Sequence, residues 1–352
     1  MRDLFIIGMA RDAHCVRVAQ RLVDQGGKAY LFDPTVACPF TYDFAQPQAP
    51  AMAIGLSGEA IYSRPAPVDL ANIVAWRRLK LSFDFFESRE KQELYYYSNE
   101  ALSFINAAFY HAGIIQFNAP DASRTASNKI LQLSAAANAG MVIPKTRYTN
   151  EPSVVSALAA TVPARRLIGK ALKTAYIPPT IGNGDDSRLI HTTPISASDL
   201  SDPWDAYEAV AIYQERIEKA FELRIIAFGD EHHAFSVHTP CTEDGALDWR
   251  LTQYENTHQY LGQIDELQPS LEKYLSSFGL EYGVFDFVKT PAGDYVFLEC
   301  NPDGQWGWLE EETGQPVVTD MFARHVLRLM GDADGDLSDP GRPASSTADA
   351  RA

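Results

Sequence analysis

Apolar and polar positions switch between two periods along this chain, and the switches mark its elements. LFIIGM at residues 4–9 is a short apolar run, the pattern of a buried strand. RDAHCVRVAQRLVDQGG follows with helical spacing and closes on Gly26-Gly27, and KAYLFDP returns to strand. Strand–helix–strand with short joins predicts a parallel α/β unit. IVAWRRL (73–79) adds a strand, and residues 89–112 read as a helix carrying Leu94, Tyr97, Leu102, Ile105 and Phe109. IIQFNAPDA then reads as strand and turn.

Further along, SRTASNKILQLSAAANAG (123–140) predicts a single helix stopped by Gly140. MVIPKTRYT is an extended X-Pro segment leading to a helix near 151–160. ARRLIGKALK (164–173) and LIHTTPI read as strands on either side of the polar loop IPPTIGNGDDSR. VAIYQERI is another strand, and FELRIIAFGDEHHAFSVHT is a hairpin turning at Gly229-Asp230. A helix over 265–278, a second hairpin in EYGVFDFVKTPAGDYVFLEC and a last helix in TDMFARHVLRLM complete the pattern. The tail GDADGDLSDPGRPASSTADARA is low in apolar residues and reads as disordered. No internal repeat is evident.

A chain of 352 residues supports two or three packed units, and 46% hydrophobic with 22% charged residues is ordinary for a globular protein. The first residues read as a strand and not a signal peptide, and no run approaches the roughly 18 apolar residues of a membrane span. Cys15, Cys38, Cys241 and Cys300 lie far apart without metal-site spacing, as reduced thiols of a cytoplasmic protein would. A net charge of −16 makes the chain a poor general binder of phosphate backbones, so nucleic acid is not an expected partner, and without a spanning run neither is a membrane.

The chemistry concentrates in the second hairpin. A two-residue turn at Ala292-Gly293 pairs Val288 with Phe297, Phe287 with Leu298, and Asp286 with Glu299. Two carboxylates opposed on one face repel unless something positive lies between them. Asn301, two residues on, adds an oxygen to that face, while Cys300 points the other way into packing. No lysine or arginine alternates with them along these strands. Oxygen-only donors suit Mg²⁺, which takes further ligands from phosphates and water. The competing reading is a solvated face of an exposed hairpin, and the flanking apolar residues argue against it.

Magnesium held through phosphates implies a nucleotide. Lys170 sits amid apolar residues in RLIGKALK, where a buried ammonium needs an anion, and Lys129 lies in SNKILQL. Taken alone, each also fits a snorkelling surface lysine. AIYQERIEKAFELR is an apolar strand breaking into a polar joint, followed by Glu222 and Arg224. Such a joint offers backbone groups to a base edge and a carboxylate to ribose hydroxyls.

Lys129, Lys170, YQERIEKAFELR and Asp286 with Glu299-x-Asn301, in this order, resemble an ATP-grasp ligase. NAPDASRTASNKILQLSAAANAGMVIPKTRYTN (118–150), AWRR (75–78), DWR (248–250) and FLECNPDGQWGWLEEETG resemble the ligases of microviridin-type peptides, the graspetides, over about residues 1–330. The resemblance implies an α/β (α+β) ATP-grasp fold with an N-terminal Rossmann-like pre-ATP-grasp domain at 1–118. A central lobe at 119–205, a C-terminal lobe with the metal site at 206–330 and the tail at 331–352 would follow. It implies that Asp286, Glu299 and Asn301 hold one or two Mg²⁺ and that Lys129 and Lys170 hold the phosphates of ATP. Gln214, Glu215 and Ile217 would line the adenine, and Glu222 would meet the ribose. Asp248 and Arg250 would face the acidic core residue of a ribosomal precursor peptide. Homodimers are common in the family. Asp303 stands where the family has asparagine, Cys300 replaces an aliphatic residue, and Leu79 replaces the proline after WRR; none of these is a metal or phosphate ligand.

The implied reaction phosphorylates an Asp or Glu side chain of the precursor, then closes an ω-ester or ω-amide with Ser/Thr or Lys. Asp248 would act as base and Arg250 would orient the carboxylate. A leader segment of the precursor would bind away from the site. Tyr95, Tyr96 and Tyr97 could contribute to that binding, with packing as the plainer reading. Trp306 and Trp308 either shape the core-peptide site or fill space. Two other functions fit the same residues: an amino-acid ligase of the ribosomal-protein glutamate ligase type, and a non-catalytic peptide-binding scaffold.

Overall fold

The computed structural model describes residues 3–9, 12–33, 40–42, 52–54, 73–77, 89–111, 113–163, 166–172, 176–177, 188–189, 192–196, 209–240, 242, 252 and 254–331. The first apolar run forms β1 (Asp3–Ile7), followed by α1 (Ala13–Asp24) and β2 (Ala29–Phe32). Asp12 caps α1 by accepting from the His14 N–H at 2.9 Å. A short antiparallel pair, β3 (Phe40–Tyr42) and β4 (Met52–Ile54), precedes β5 (Ile73–Arg77), α2 (Arg89–His111) and β6 (Ile115–Phe117). The parallel sheet has the order β2-β1-β5-β6. Both of its faces are covered, which is why LFII carries no polar residue. Leu4 and Ile6 pack with Cys15, Val18 and Leu22 of α1, whereas Phe5 and Ile7 pack with Leu102, Ile105 and Phe109 of α2.

Residues 123–140 are not one helix. The chain forms α3 (Pro120–Ala126), breaks at Ser127-Asn128, and restarts as α4 (Lys129–Asn138). Asn128 is extended, and its side-chain oxygen accepts from the N–H groups of Ile130 (3.0 Å) and Leu131 (3.2 Å). The amide side chain satisfies backbone donors a helix start leaves open, and so competes with an unbroken helix. The stop at Gly140 stands, at φ +90°.

Next come β7 (Thr146–Thr149), α5 (Pro152–Ala159), β8 (Leu167–Lys170), β9 (Tyr176–Ile177), β10 (Arg188–Leu189), β11 (Thr193–Pro194) and β12 (Ala211–Glu215). Four of them make an antiparallel sheet in the order β11-β8-β12-β7. Leu167 and Tyr213 pack on Val155 and Leu158 of α5, which leaves Lys170 and Gln214 on the opposite face.

The largest sheet holds β13 (Phe221–Phe228), β14 (Glu231–His238), β15 (Thr257–Gly262), β16 (Tyr282–Lys289) and β17 (Tyr295–Asn301), in the order β15-β14-β13-β16-β17. The helix α6 (Gln268–Phe278) lies between β15 and β16, and α7 (Gly307–Thr313) and α8 (Val317–Gly331) follow β17. Leu223, Ile225, Phe285, Phe287 and Phe297 join Leu133 of α4 and Leu271 and Tyr274 of α6 in one core. Ile226, Phe228, Tyr282 and Val284 point the other way, into a core shared with α1, α8 and Trp306. That second core covers only one end of its face. Along the same face at the other end stand Glu222, Arg224 and Asp286, and the period of two places them there.

Among the described residues, no helix is long and apolar enough to cross a membrane. The tail from residue 332 onward lies outside the described residues.

Candidate active site

Asp286 and Glu299 face each other across β16 and β17, as the sequence predicts, but by a different route. The turn is one residue longer than expected. Lys289 pairs with Tyr295, Val288 with Val296, and Phe287 with Phe297, which corrects the pairs expected for Val288 and Phe287. Thr290 and Asp294 close the loop, with the Gly293 N–H donating to the Thr290 carbonyl at 3.0 Å. Gly293 sits at φ +97°, a conformation open to glycine. The register then shifts between Phe287 and Asp286, because Leu298 is bulged out of the ladder. Without that bulge Leu298 would oppose Asp286, and Glu299 would turn into the core.

The positive charge between the carboxylates comes partly from the protein. Arg224 on β13 pairs with Asp286, its Nη1 donating to Oδ1 at 2.8 Å, and its Nη2 donates to the Gln305 carbonyl at 3.3 Å. Both side chains are nearly buried, so the pair lies in a low-dielectric setting. Glu299 is more open, and the Lys129 ammonium stands 3.9 Å from its Oε2. Asn301 Oδ1 accepts from the Asp303 N–H at 3.0 Å. Among the described residues no three His, Cys, Asp or Glu side chains converge on one point. The donor set is two carboxylates and an amide oxygen. That fits a hard cation completing its shell with phosphate and water.

Lys129 is the first residue of α4, where a cation works against the helix dipole. Its position serves reach instead. The ammonium lies between Glu299 and the carbonyl of Ala171 at 3.5 Å, and its own carbonyl accepts from the Tyr148 hydroxyl at 2.9 Å. Burial pushes the Tyr148 hydroxyl up to about 12, so it remains a donor at neutral pH. On β8, Lys170 Nζ donates to Gln214 Oε1 at 3.0 Å, and Gln214 Nε2 donates to Thr146 Oγ1 at 3.0 Å. Gln214 and Glu215 end β12, and Ile217 lies half-buried in the extended joint to β13. Glu222 is buried beyond that joint and pairs with Lys219. Asp248 and Arg250 lie outside the described residues, as do Leu79 and most of the loop IPPTIGNGDDSR.

Cys300 is packed into the core beside Tyr274. Burial, with the Asp286 carboxylate adding to it, pushes its thiol well above the usual range, and its side chain points into the core, away from the face of Glu299 and Asn301. Trp306 is fully buried, 4.2 Å from the His14 ring and 5.6 Å from that of Phe322 between centroids, which makes it a filling residue. The packing reading fails for Tyr96 and Tyr97, which are 59% and 62% exposed. Arg224 is the residue that sequence reasoning left without a role. Its spacing of two from Glu222 placed it on the right face, but its partner lies on a strand 62 residues away.

No family model and no curated protein matches this chain. Solved structures do. The macrocyclase MdnC from Microcystis aeruginosa MRC, solved with precursor peptide MdnA, is 22% identical over 93% of this chain and 99% of its own, with a TM-score of 0.74. A RiPP-associated ATP-grasp ligase of Chryseobacterium gregarium, in complex with ADP and a leader and core peptide, is 19% identical over 94% and 97%, with a TM-score of 0.75. The chain has the ATP-grasp fold. A more distant member of that fold, the VanG D-Ala:D-Ser ligase from Enterococcus faecalis, is 14% identical over 94% and 98%, at a TM-score of 0.54. In this ATP-grasp fold, the Lys129 side chain reaches from α4 to Ala171, just after β8 of the four-stranded sheet, and to Glu299 on β17 of the five-stranded sheet.

Proposed function

We propose that the protein is an ATP- and magnesium-dependent ligase that crosslinks the side chains of a ribosomal precursor peptide. The carrying observation is the opposition of Asp286 and Glu299, with Lys129 reaching the same point from α4. The solved relatives add weight: PsnB, an ATP-grasp ligase 19% identical to this chain at a TM-score of 0.64, was solved with minimal precursor, Mg and ADP. In this reading the chain divides near residues 118 and 205 into an N-terminal unit and two ATP-grasp lobes.

Asp286, Glu299 and Asn301 would hold magnesium, which when bound withdraws charge from the β- and γ-phosphates. Lys129 and Lys170 bind phosphate oxygens, Gln214, Glu215 and Ile217 border the adenine, and Glu222 accepts from the ribose hydroxyls. Arg224 holds Asp286 in place from the rear. An Asp or Glu carboxylate of the peptide attacks the γ-phosphorus, and the bond to the ADP oxygen breaks. The resulting acyl phosphate is attacked by a Ser/Thr hydroxyl or a Lys amine, giving an ester or amide and releasing phosphate. Arg250 orients the carboxylate, and Asp248 takes the proton from the nucleophile. Water must be excluded at this stage, because it would hydrolyse the acyl phosphate.

The test is mass spectrometry of an acidic, Ser/Thr- or Lys-containing precursor, encoded beside this gene, after incubation with the protein, ATP and Mg²⁺. Loss of one water per bond formed, absent in the Glu299→Gln variant, is the expected result. A gain of an amino-acid residue mass would replace this reading with that of an amino-acid ligase. Peptide binding without ATP turnover would leave a scaffold.

A further inference from the structure

Gln132 lies one turn beyond Lys129 on α4 and is 5% exposed. Its Nε2 donates to the carbonyls of Ala126 at 2.7 Å and Cys300 at 2.8 Å, and its Oε1 accepts from the Cys300 N–H at 3.1 Å. Cys300 is the residue between Glu299 and Asn301, on the outermost strand of the sheet. An edge residue there presents one N–H and one C=O away from the ladder, and a primary amide matches both, as a neighbouring strand would. The rest of that edge is held by main chain: Val142 pairs with Val296, and the Phe297 N–H donates to the Val142 carbonyl at 2.8 Å. Past the bulge at Leu298, among the described residues, no such pairing continues, and Gln132 takes over.

The side chain therefore ties three things together: the helix break at Ala126, the helix that begins with Lys129, and the backbone between two of the oxygen donors. The gap between Lys129 Nζ and Glu299 Oε2, 3.9 Å, is spanned by two long, partly exposed side chains, so the rigidity of their backbones decides how well it is kept.

We propose that Gln132 is a positioning residue of the metal and nucleotide site, clamping the Glu299–Asn301 segment to α4 so that Glu299 and Lys129 meet the same magnesium-bound phosphate. This rests on the nucleotide site proposed above. Residues that orient metal ligands typically cost about 10–100-fold in metal affinity when removed. A leucine or methionine at 132 keeps the apolar volume and loses all three hydrogen bonds. A glutamate keeps the acceptor for the Cys300 N–H and loses the donors.

The experiment is calorimetric titration of the full-length protein with ADP at fixed excess Mg²⁺, then with Mg²⁺ at fixed ADP. The comparison is Gln132→Met against Leu133→Ala, a change at the next position that loosens the same core and keeps the Gln132 hydrogen bonds to Cys300. Expected are a rise of about tenfold in the Mg²⁺ half-saturation of Gln132→Met and less than a twofold rise in Leu133→Ala, at comparable losses of thermal midpoint. Should Gln132→Met not fold, Gln132→Glu takes its place with the same expectation. An unchanged Mg²⁺ dependence in the Gln132 variants overturns the proposal, as does a loss shared equally by Leu133→Ala. Failure of the wild-type protein to bind MgADP would instead remove the nucleotide site itself, and the proposal with it.

Discussion

Arg224 and Asp286 form a buried ion pair whose energetics separate structure from chemistry at the level of single side chains. Removing one member strands the other in a poorly solvated place, a loss of about 3 kcal/mol, whereas removing both charges costs far less. Arg224→Leu should therefore be much less stable to urea than Arg224→Leu combined with Asp286→Asn. Additive losses in that double-mutant cycle would mean that the two groups do not interact. Crosslinking should be lost in both: the single variant leaves Asp286 without the Arg224 that holds it, and the double variant also removes a carboxylate proposed as a metal ligand. Lys129→Met makes the contrast: Lys129 is partly exposed, and its 3.9 Å contact with Glu299 is a weak contributor to stability. The variant should melt like the wild type and turn over at least about 100-fold more slowly, as loss of a preorganised charge clamp does. Equal rates would move the phosphate site elsewhere.

At the scale of elements, the hairpin β16–β17 reconciles two demands on one strand. Phe297 must enter the core beside Phe287, and their rings meet edge-on at 5.6 Å. Glu299 must then leave for the opposite face, although the spacing of two would keep it with Phe297. The bulge at Leu298 supplies the missing residue. TPAGDY is compatible with turns of two or three residues, and the strand's own alternation does not show where the ladder slips. The sequence thus yields the right pair, Asp286 with Glu299, from a turn one residue too short and no bulge. The error cancels at the site but not at Phe297. Phe297→Ala should therefore cost about 3 kcal/mol in chemical denaturation, the range of Phe→Ala changes in cores. A loss below about 1 kcal/mol would mean that the register near the turn is loose. Elsewhere the pattern is direct: the turn at Gly229-Asp230, the buried first strand and the stop at Gly140 are all local signals. The break before Lys129 was legible only as the polar triplet Ser127-Asn128-Lys129, since either residue also tolerates a helix interior. Arg224 and Gln132 were not legible, because their partners lie 62 and 168 residues away.

For the molecule as a whole, the parallel N-terminal sheet and the large antiparallel sheet share a core, and α8, packed on β1 and β5 and on β13 and β14, is the seam between them. The segment after the oxygen donors, Gln305-Trp306-Gly307, runs along this seam. Gln305 gives its carbonyl to Arg224, Trp306 packs on His14, and Gly307 gives its carbonyl to Arg17 Nη1 at 2.9 Å. A β-carbon at Gly307 would stand 3.0 Å from the His14 ring nitrogen, so any larger residue would push the ring aside. Arg17 also faces the buried Glu310 at 3.6 Å. Glu310 accepts from the Thr319 N–H at 2.7 Å and from its hydroxyl, which fixes the start of α8. Burial pushes the Glu310 carboxyl up, against the lowering pull of Thr319 and Arg17. A carboxyl raised on folding contributes its stability below the unfolded value and loses it as the pH climbs through the folded one. Removing Arg17 takes away part of the lowering pull and raises Glu310 further. Arg17→Gln should then cost about 2 kcal/mol at neutral pH, the worth of a hydrogen bond to a charged group, and less as the pH falls and the raised Glu310 carboxyl takes up its proton. Urea denaturation across that range measures the difference. A cost independent of pH would assign the effect to the Gly307 carbonyl alone, and no cost at all would mean that α1 rests on the C-terminal helices through its apolar face only.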